Sequence, residues 1–151
     1  MSLLSYKQKR NLIKSKEPRV DIPKKKRGDA KIFVIHRHEA SHLHWDLRLE
    51  MSGVLKSWAI PKTPPTAKGI KRLAIQVEDH PLSYKDFEGI IPEGNYGAGK
   101  VKIWDKGEYS LIEKDNKKIE IFFHGKKLKG NFVLVKTHYG KDKKGWLFFK
   151  I

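Results

Sequence analysis

From residue 32 to the C-terminus, the sequence is a series of short runs rich in β-branched and aromatic residues, separated by turns that contain glycine or proline. No apolar segment with the period and the length of a helix interrupts this series. Eight runs are of this kind, at residues 32–38, 43–51, 54–60, 70–78, 101–105, 119–124, 131–137 and 146–151. Among the turn signals between them is Lys106-Gly107. The pattern predicts a mainly all-β protein, either an antiparallel barrel or a sandwich.

The first 30 residues differ in composition, because they are rich in Lys, Arg, Ser and Pro. We predict that residues 1–30 form a flexible basic arm and that residues 31–151 form a single β domain. The 151-residue chain has 33 Lys and Arg against 17 Asp and Glu, a formal net charge of +16. Such a surplus attracts polyanions, so nucleic acid is the leading candidate partner, ahead of an anionic membrane surface or an RNA–protein assembly.

Several classes of protein are excluded. The chain has no cysteine, which rules out disulfide scaffolds, Cys-ligated zinc and thiol catalysis. No stretch approaches the roughly 18–20 apolar residues of a membrane span, and we expect no signal peptide and no membrane association. The glycine-rich segment 94–99 follows no predicted strand and opens no helix, so it is neither a dinucleotide fingerprint nor a P-loop.

The run at residues 43–51 alternates strictly between apolar and polar side chains. Because the side-chain period of a strand is two, the apolar set faces the core and the polar set shares the other face. The polar set is His44, Asp46, Arg48 and Glu50. One strand face therefore presents an imidazole, a carboxylate and a guanidinium in a row.

The preceding run places His36 and His38 on one face by the same argument, and residues 39–42 connect it to the His44 strand. His38, His44 and Asp46 would then be two imidazoles and a carboxylate on adjacent strands, a set that suits Mn²⁺, Fe²⁺ or Zn²⁺. The alternative is an amphipathic hairpin whose polar face meets solvent. Four of the seven histidines fall between residues 36 and 44, which favours the metal site.

A further polar face is predicted on the strand that ends at residue 80, where strict alternation groups Arg72, Gln76, Glu78 and His80. Cationic side chains beside a two-His-one-carboxylate site imply an anionic substrate, because arginine binds phosphate through paired hydrogen bonds. Metal-assisted hydrolysis of a phosphate ester in nucleic acid is the chemistry that these residue types favour. The long segment 80–99 is expected to be functional, with its glycines letting the backbone pass close to the site.

Four blocks of the sequence resemble, in order, the motifs of the 3′-phosphoesterase module of DNA ligase D. The blocks are residues 33–50, 53–62, 77–84 and 87–99, and the likeness covers nearly the whole chain. The resemblance implies an eight-stranded barrel core and a bacterial or archaeal enzyme. It also implies a manganese-dependent activity that trims 3′-terminal ribonucleosides and removes the 3′-phosphate, leaving a 3′-OH for ligation in DNA repair by end joining. Zn²⁺ and Co²⁺ are the alternative metals.

Site residues follow from the resemblance position by position. His38, His44 and Asp46 match the metal ligands, and Arg48 and His80 match a phosphate-binding pair. The other matched positions are Tyr84, Lys62, Arg72 and Glu78 at the active site, and Arg10 and Glu17 on the arm. His36 stands where the family commonly has Gln, and it is expected to preserve a polar contact. Asn11 stands where the family commonly has Asp, which puts the role of that position in doubt.

The resemblance also predicts the setting of the protein. We expect a cytoplasmic monomer that acts on a primer-template or a DNA end with a terminal ribonucleotide, together with a separate DNA ligase and polymerase. Two other functions stay open on the residues alone: a non-catalytic nucleic-acid-binding barrel, and a non-haem iron oxygenase, which shares the two-His-one-carboxylate ligand set.

Overall fold

A computed structural model describes residues 31–138 and 141–151 of the chain. Its nine strands are β1 Lys31–Glu39, β2 Leu43–Met51, β3 Val54–Ile60, β4 Arg72–Pro81, β5 Gly89–Ile91, β6 Gly99–Lys114, β7 Lys118–His124, β8 Lys129–Lys136 and β9 Gly145–Lys150. Helical structure in these residues is confined to two short 3-10 turns, Leu82–Asp86 and Lys141–Lys143. No helix of the described part is long and apolar enough to cross a membrane. The predicted arm, residues 1–30, lies outside the described residues.

All strand pairings are antiparallel, and eight of the strands close into a barrel. The order around it is β1-β2-β3-β4-β9-β8-β7-β6, and β6 then pairs with β1. The short strand β5 adds to the first residues of β6, beside the β1–β6 seam. The predicted eight-stranded antiparallel barrel is therefore confirmed.

Alternate residues of the strands fill the barrel with aromatic and aliphatic side chains. The buried cluster includes Phe33, Leu47, Trp58, Phe123 and Phe148. Burial of a side chain of this size contributes about 1.5–3 kcal/mol, so this interior is the main source of stability. The alternation predicted for residues 43–51 is confirmed except at Leu43, which is 40% exposed because it begins β2 at the barrel rim.

Two features of strands β5 and β6 differ from the sequence prediction. Lys106-Gly107 was expected to be a turn, and this prediction is wrong, because β6 continues through it to Lys114. A Cβ atom at Gly107 would lie 2.6 Å from the carbonyl oxygen of His124, so glycine is needed there for the close approach of β7. Strand β5 was not predicted, since three residues are too short to show a period.

A bulge in β4 corrects the grouping of its side chains. Ser57 of β3 lies opposite Val77, whereas Leu55 lies opposite His80. Two residues of β4, Glu78 and Asp79, therefore lie between these pairs where β3 has only Lys56. The strict alternation that placed Gln76 with His80 is therefore wrong. Gln76 pairs with Trp58 on the interior side, and the bulge turns His80 to the outer face.

Candidate active site

The predicted site lies on the outer face of β1–β4, under the segment that connects β4 to β6. Cross-strand register builds it, because His36 is opposite Asp46, His38 is opposite His44, and Asp46 is opposite Ala59. The resulting cleft has a volume of about 310 Å³. It is lined by His38, Ala40, His44, Asp46, Arg48, Ala59, Val77, Glu78, His80, Tyr84, Tyr96 and Gly97. The expectation that the long segment reaches the site is met by Tyr84, Tyr96 and Gly97.

His38, His44 and Asp46 meet at one end of this cleft. Each offers one potential ligand atom, and the three atoms lie within 4.8 Å of one another. The Oδ2 atom of Asp46 is 3.3 Å from His44 Nε2 and 3.6 Å from His38 Nδ1. Two imidazole nitrogens and a carboxylate oxygen at this spacing can hold one divalent transition metal ion and leave coordination positions for substrate.

Backbone carbonyl groups orient both imidazoles. His38 Nε2–H donates to the carbonyl oxygen of Gly97 at 2.7 Å, and His44 Nδ1–H donates to that of His42 at 3.0 Å. Each ring therefore carries its lone pair on the nitrogen that faces Asp46. Such contacts are characteristic of histidines that ligate metals, because they fix the tautomer and the ring direction.

Arg48 lies behind the cluster with its guanidinium bound on three sides. Its Nε donates to His36 Nδ1 at 3.1 Å, its Nη1 to Ser57 Oγ at 2.9 Å, and its Nη2 to Asp46 Oδ2 at 3.3 Å. The residue is 3% exposed, and its guanidinium carbon lies 4.9 Å from the centre of the Tyr84 ring. Because most of its N–H groups bind protein, Arg48 meets the cleft along a single edge.

The electrostatics of the cluster follow from these contacts. Burial alone would raise the pKa of Asp46, but the Arg48 guanidinium and the two imidazoles outweigh it and hold that pKa well below its usual range. Burial alone would lower the pKa of His44, but the carboxylate of Asp46 outweighs it and raises that pKa. Burial, and then Arg48, lowers the pKa of His36 to about 3. His36 is thus neutral, with Nε2–H donating to the Phe87 carbonyl at 3.0 Å.

The predicted phosphate-binding residues lie beside Arg48. His80 Nδ1 is 3.1 Å from Arg48 Nη1, and the buried Glu78 lines the same cleft. The ring of Tyr84 packs between His36 and His80, at centroid distances of 5.4 and 4.9 Å. The fold therefore brings the candidate metal ligands together with four other predicted residues: Arg48, Glu78, His80 and Tyr84.

Other predicted residues lie elsewhere. Lys62 and Arg72 line a second cleft with Pro61, Lys71 and Leu73, where Arg72 Nε donates to the Thr63 carbonyl at 2.8 Å. Arg10 and Glu17 fall outside the described residues. Sequence reasoning missed Ser57, the partner of Arg48. The signal was its position, since a small polar residue stands in β3 directly opposite Arg48.

Together these features define a closed antiparallel β-barrel that carries a candidate divalent-metal centre on its outer face, with an arginine bound to the carboxylate of that centre. Comparison with known proteins supports a specific family. The model of the DNA ligase D 3′-phosphoesterase domain matches residues 36–136. The chain belongs to this family.

Curated relatives agree with this assignment. The multifunctional non-homologous end joining protein LigD of Pseudomonas aeruginosa is 40% identical over 153 residues, which cover 98% of this chain and 18% of the relative. The protein of the same name from Mycolicibacterium smegmatis is 42% identical over 158 residues, which cover 96% of this chain and 20% of the relative. The chain spans about a fifth of the length of these relatives.

Proposed function

We propose that this protein is a metal-dependent phosphoesterase that acts on the 3′ ends of nucleic acid strands. The observation that carries the proposal is the convergence of His38, His44 and Asp46 within 4.8 Å at a cleft whose adjoining wall is Arg48. Membership in the 3′-phosphoesterase family supports the same activity. The basic composition of the chain, with a formal net charge of +16, suits a polyanionic substrate.

The donor set fits Mn²⁺ as the working metal, with Zn²⁺ and Co²⁺ as alternatives. His38 Nδ1, His44 Nε2 and Asp46 Oδ2 would hold the ion, since carbonyl partners already fix both rings with their lone pairs toward the carboxylate. When bound, such an ion supplies Lewis-acid stabilisation of a phosphoryl oxygen and a site for activating water. Nitrogen and carboxylate ligands suit a borderline metal better than Ca²⁺, which prefers oxygen alone.

The chain's own residues bind and orient the phosphate in this proposal. Arg48 directs its cleft edge at a phosphoryl oxygen, and its contacts with Ser57 and His36 hold the guanidinium still. His80 contacts the phosphate beside Arg48, while Tyr84 fixes both by packing. His36 accepts a hydrogen bond from Arg48 and so helps to hold the guanidinium in place, which is the polar contact predicted for His36. A rigid cationic pocket binds a phosphoryl group without reorganising during the reaction.

Five further residues extend this proposal. We assign Glu78, at the edge of the cleft, and the cations of the second cleft, Lys62 and Arg72, to the active site. Arg10 and Glu17 would approach the substrate from the arm. A chain lacking residues 1–28 should then keep part of its 3′-phosphate removal and lose more of its ribonucleoside removal, which must also place a leaving nucleoside. Equal ribonucleoside removal by the two chains would exclude a role for the arm.

The biological setting that we propose is the healing of DNA ends before ligation. The two relatives are named as multifunctional non-homologous end joining proteins. We infer that this chain supplies a 3′-OH to a DNA ligase and works with a polymerase of the same pathway, as a cytoplasmic monomer in a prokaryotic cell.

The test is an assay on one primer-template with three different 3′ ends. One primer ends in a 3′-phosphate, one in a single ribonucleotide, and one in an all-deoxy 3′-OH. We expect Mn²⁺ to support phosphate release from the first and nucleoside removal from the second, with the third unchanged and EDTA abolishing both activities. Binding without conversion in any metal would indicate a non-catalytic barrel. Iron-dependent consumption of O₂ without phosphate release would indicate an oxygenase.

A further inference from the structure

Two tyrosines of the described residues line the candidate active-site cleft, and they differ greatly in burial. Tyr84 is 1% exposed, with its ring stacked on Phe87 at a centroid distance of 4.9 Å and the Arg48 guanidinium carbon 4.9 Å from its centre. Tyr96 is 46% exposed although it lines the same cleft. Tyr84 is therefore enclosed by protein, whereas Tyr96 presents aromatic surface to a molecule that enters the cleft.

A tight turn carries Tyr96 at the wall of the cleft. The Ala98 N–H donates to the Asn95 carbonyl oxygen at 3.2 Å, which makes Tyr96 and Gly97 the two central residues of a β-turn. Gly97 has a φ of 76°, the value typical of the third residue of a type II turn, where glycine is favoured. The φ of Tyr96 is negative, so the tyrosine stands in the turn without backbone strain.

The same turn is bound to a candidate metal ligand. The Gly97 carbonyl oxygen accepts the hydrogen bond from His38 Nε2 at 2.7 Å. Two residues further on, Gly99 lies so close to β1 that a Cβ atom there would be 2.1 Å from the Glu39 carbonyl oxygen. Since consecutive Cα atoms are about 3.8 Å apart, Tyr96 stands one residue from a group that orients the proposed metal centre.

The chemistry of a 3′ end supplies a partner for this ring. A phosphate on the 3′ oxygen of a nucleotide is joined to the base of that nucleotide only through one sugar. A phosphate bound between the metal ligands and Arg48 therefore leaves that sugar and base at the open side of the cleft. Aromatic side chains bind bases by stacking on their faces, and the contact tolerates every base because each has a π face.

We propose that Tyr96 stacks on the base of the nucleotide that carries the bound phosphate on its 3′ oxygen. The site then distinguishes a nucleotide end from a bare phosphate ester, whatever the base. This inference rests on the proposed function for the position of the phosphate. The ring, rather than the hydroxyl, makes the contact, so Tyr96 contributes to binding of the strand.

The test is a cycle that removes the ring from the protein and the base from the DNA. The ligand is a primer-template whose primer ends in one unpaired nucleotide with a 3′-phosphate, and this nucleotide either carries its base or is abasic. Affinity is measured in EDTA, so that no metal-dependent turnover takes place. We expect Tyr96→Ala to weaken binding of the complete end by about 5–150-fold, the usual contribution of one stacked base. Binding of the abasic end should change by less than about 2-fold, because the ring has no partner there.

Matched variants separate stacking from other roles. Tyr96→Phe keeps the ring without the hydroxyl, so it should bind both ends as the wild type does. Ile90→Ala is the control on the same connecting segment, since Ile90 is 70% exposed on β5 and is not among the residues that line the cleft. It should change neither affinity. A displaced turn or a disturbed metal centre would instead weaken binding of both ends equally.

Two results would overturn the inference: equal weakening of the two ends in Tyr96→Ala, or a loss in Tyr96→Phe as large as that in Tyr96→Ala. Failure of the proposed function has a different signature. Phosphate release in Mn²⁺ without coupling between ring and base would reject the stacking role and leave the function intact. Coupling without phosphate release would reject the function alone.

Discussion

Arg48 and His44 approach the same oxygen of Asp46. Arg48 Nη2 and His44 Nε2 each lie 3.3 Å from Asp46 Oδ2, and the carboxylate is almost completely buried. The anion of one residue therefore serves both the candidate metal centre and the proposed phosphate-binding arginine. A substitution on either side of Asp46 should disturb both parts of the site.

The first prediction concerns metal affinity. His44→Ala removes one of three candidate ligands, so Mn²⁺ binding measured by calorimetry should weaken at least about 100-fold and activity should be lost with it. His124→Ala is the matched control, because that side chain is exposed at the far end of β7. Equal Mn²⁺ affinity in the two variants would remove His44 from the centre.

The second prediction is that Arg48→Lys is not conservative. A lysine ammonium cannot donate at once to His36, Ser57 and Asp46, which lie around a planar guanidinium. We expect the free energy of unfolding to fall by about 2–4 kcal/mol, because buried acceptors lose their donor. Turnover should fall by at least about 100-fold.

Urea unfolding and 3′-phosphate release measure these two effects. The control is Arg37→Lys, whose ion pair with Glu39 is partly exposed, and which should change stability by less than about 1 kcal/mol. Near-normal values for Arg48→Lys would mean that Arg48 contributes only its charge.

The third prediction tests the departure at position 36. A glutamine there has an N–H for the Phe87 carbonyl and an oxygen for Arg48 Nε, the two partners that His36 has now. His36→Gln should therefore change the free energy of unfolding by less than about 1 kcal/mol and turnover only slightly. His36→Leu leaves both partners unsatisfied in a buried site and should cost about 2–4 kcal/mol. Similar losses in the two variants would show that the imidazole itself is needed.

The fourth prediction concerns alkaline stability. Burial, and then the carboxylate of Glu50, raises the pKa of Tyr109 above the usual tyrosine value of about 10, and the hydroxyl donates to the Glu50 carbonyl. The folded state thus holds the proton more tightly than the unfolded chain. The stabilisation is complete below about pH 10 and is lost as the pH rises further, by up to about 1.4 kcal/mol per pH unit.

Denaturant unfolding between pH 9 and pH 11 (roughly one unit on either side of the usual tyrosine pKa) measures this effect. Lysine deprotonation also acts there, so the informative quantity is the difference between the wild type and Tyr109→Phe. That difference should shrink steadily above about pH 10. A difference that stays constant with pH would contradict a raised pKa of Tyr109.

Much of this site could be predicted because it is built from local alternation. The period of two in residues 43–51 places Asp46 and Arg48 together, and a short connection to β1 brings His38 opposite His44. These relations need only neighbouring strands. The predicted pattern was wrong at Leu43, which begins β2 at the rim of the barrel, where its side chain is exposed to solvent.

The rest depends on relations between distant parts of the chain. The β4 bulge adds a residue at Glu78 or Asp79, and neither residue type signals a bulge, so the sequence did not show that Gln76 and His80 lie on opposite faces. Glycine serves equally in turns and at close contacts between strands, so Gly107 alone does not distinguish a turn from the continuous strand β6. Ser57 was missed because a buried serine gains a role only through the side chains that it contacts, here Arg48 and His80.

The central claim is that His38, His44 and Asp46 hold one divalent metal ion beside Arg48. Anomalous diffraction from crystals soaked in Mn²⁺ and inorganic phosphate, recorded at the manganese edge, tests it directly. We expect one strong peak contacting His38 Nδ1, His44 Nε2 and an oxygen of Asp46, with phosphate density between that peak and Arg48. A peak elsewhere, or no peak at this cluster when Mn²⁺-dependent activity is present, would contradict the claim.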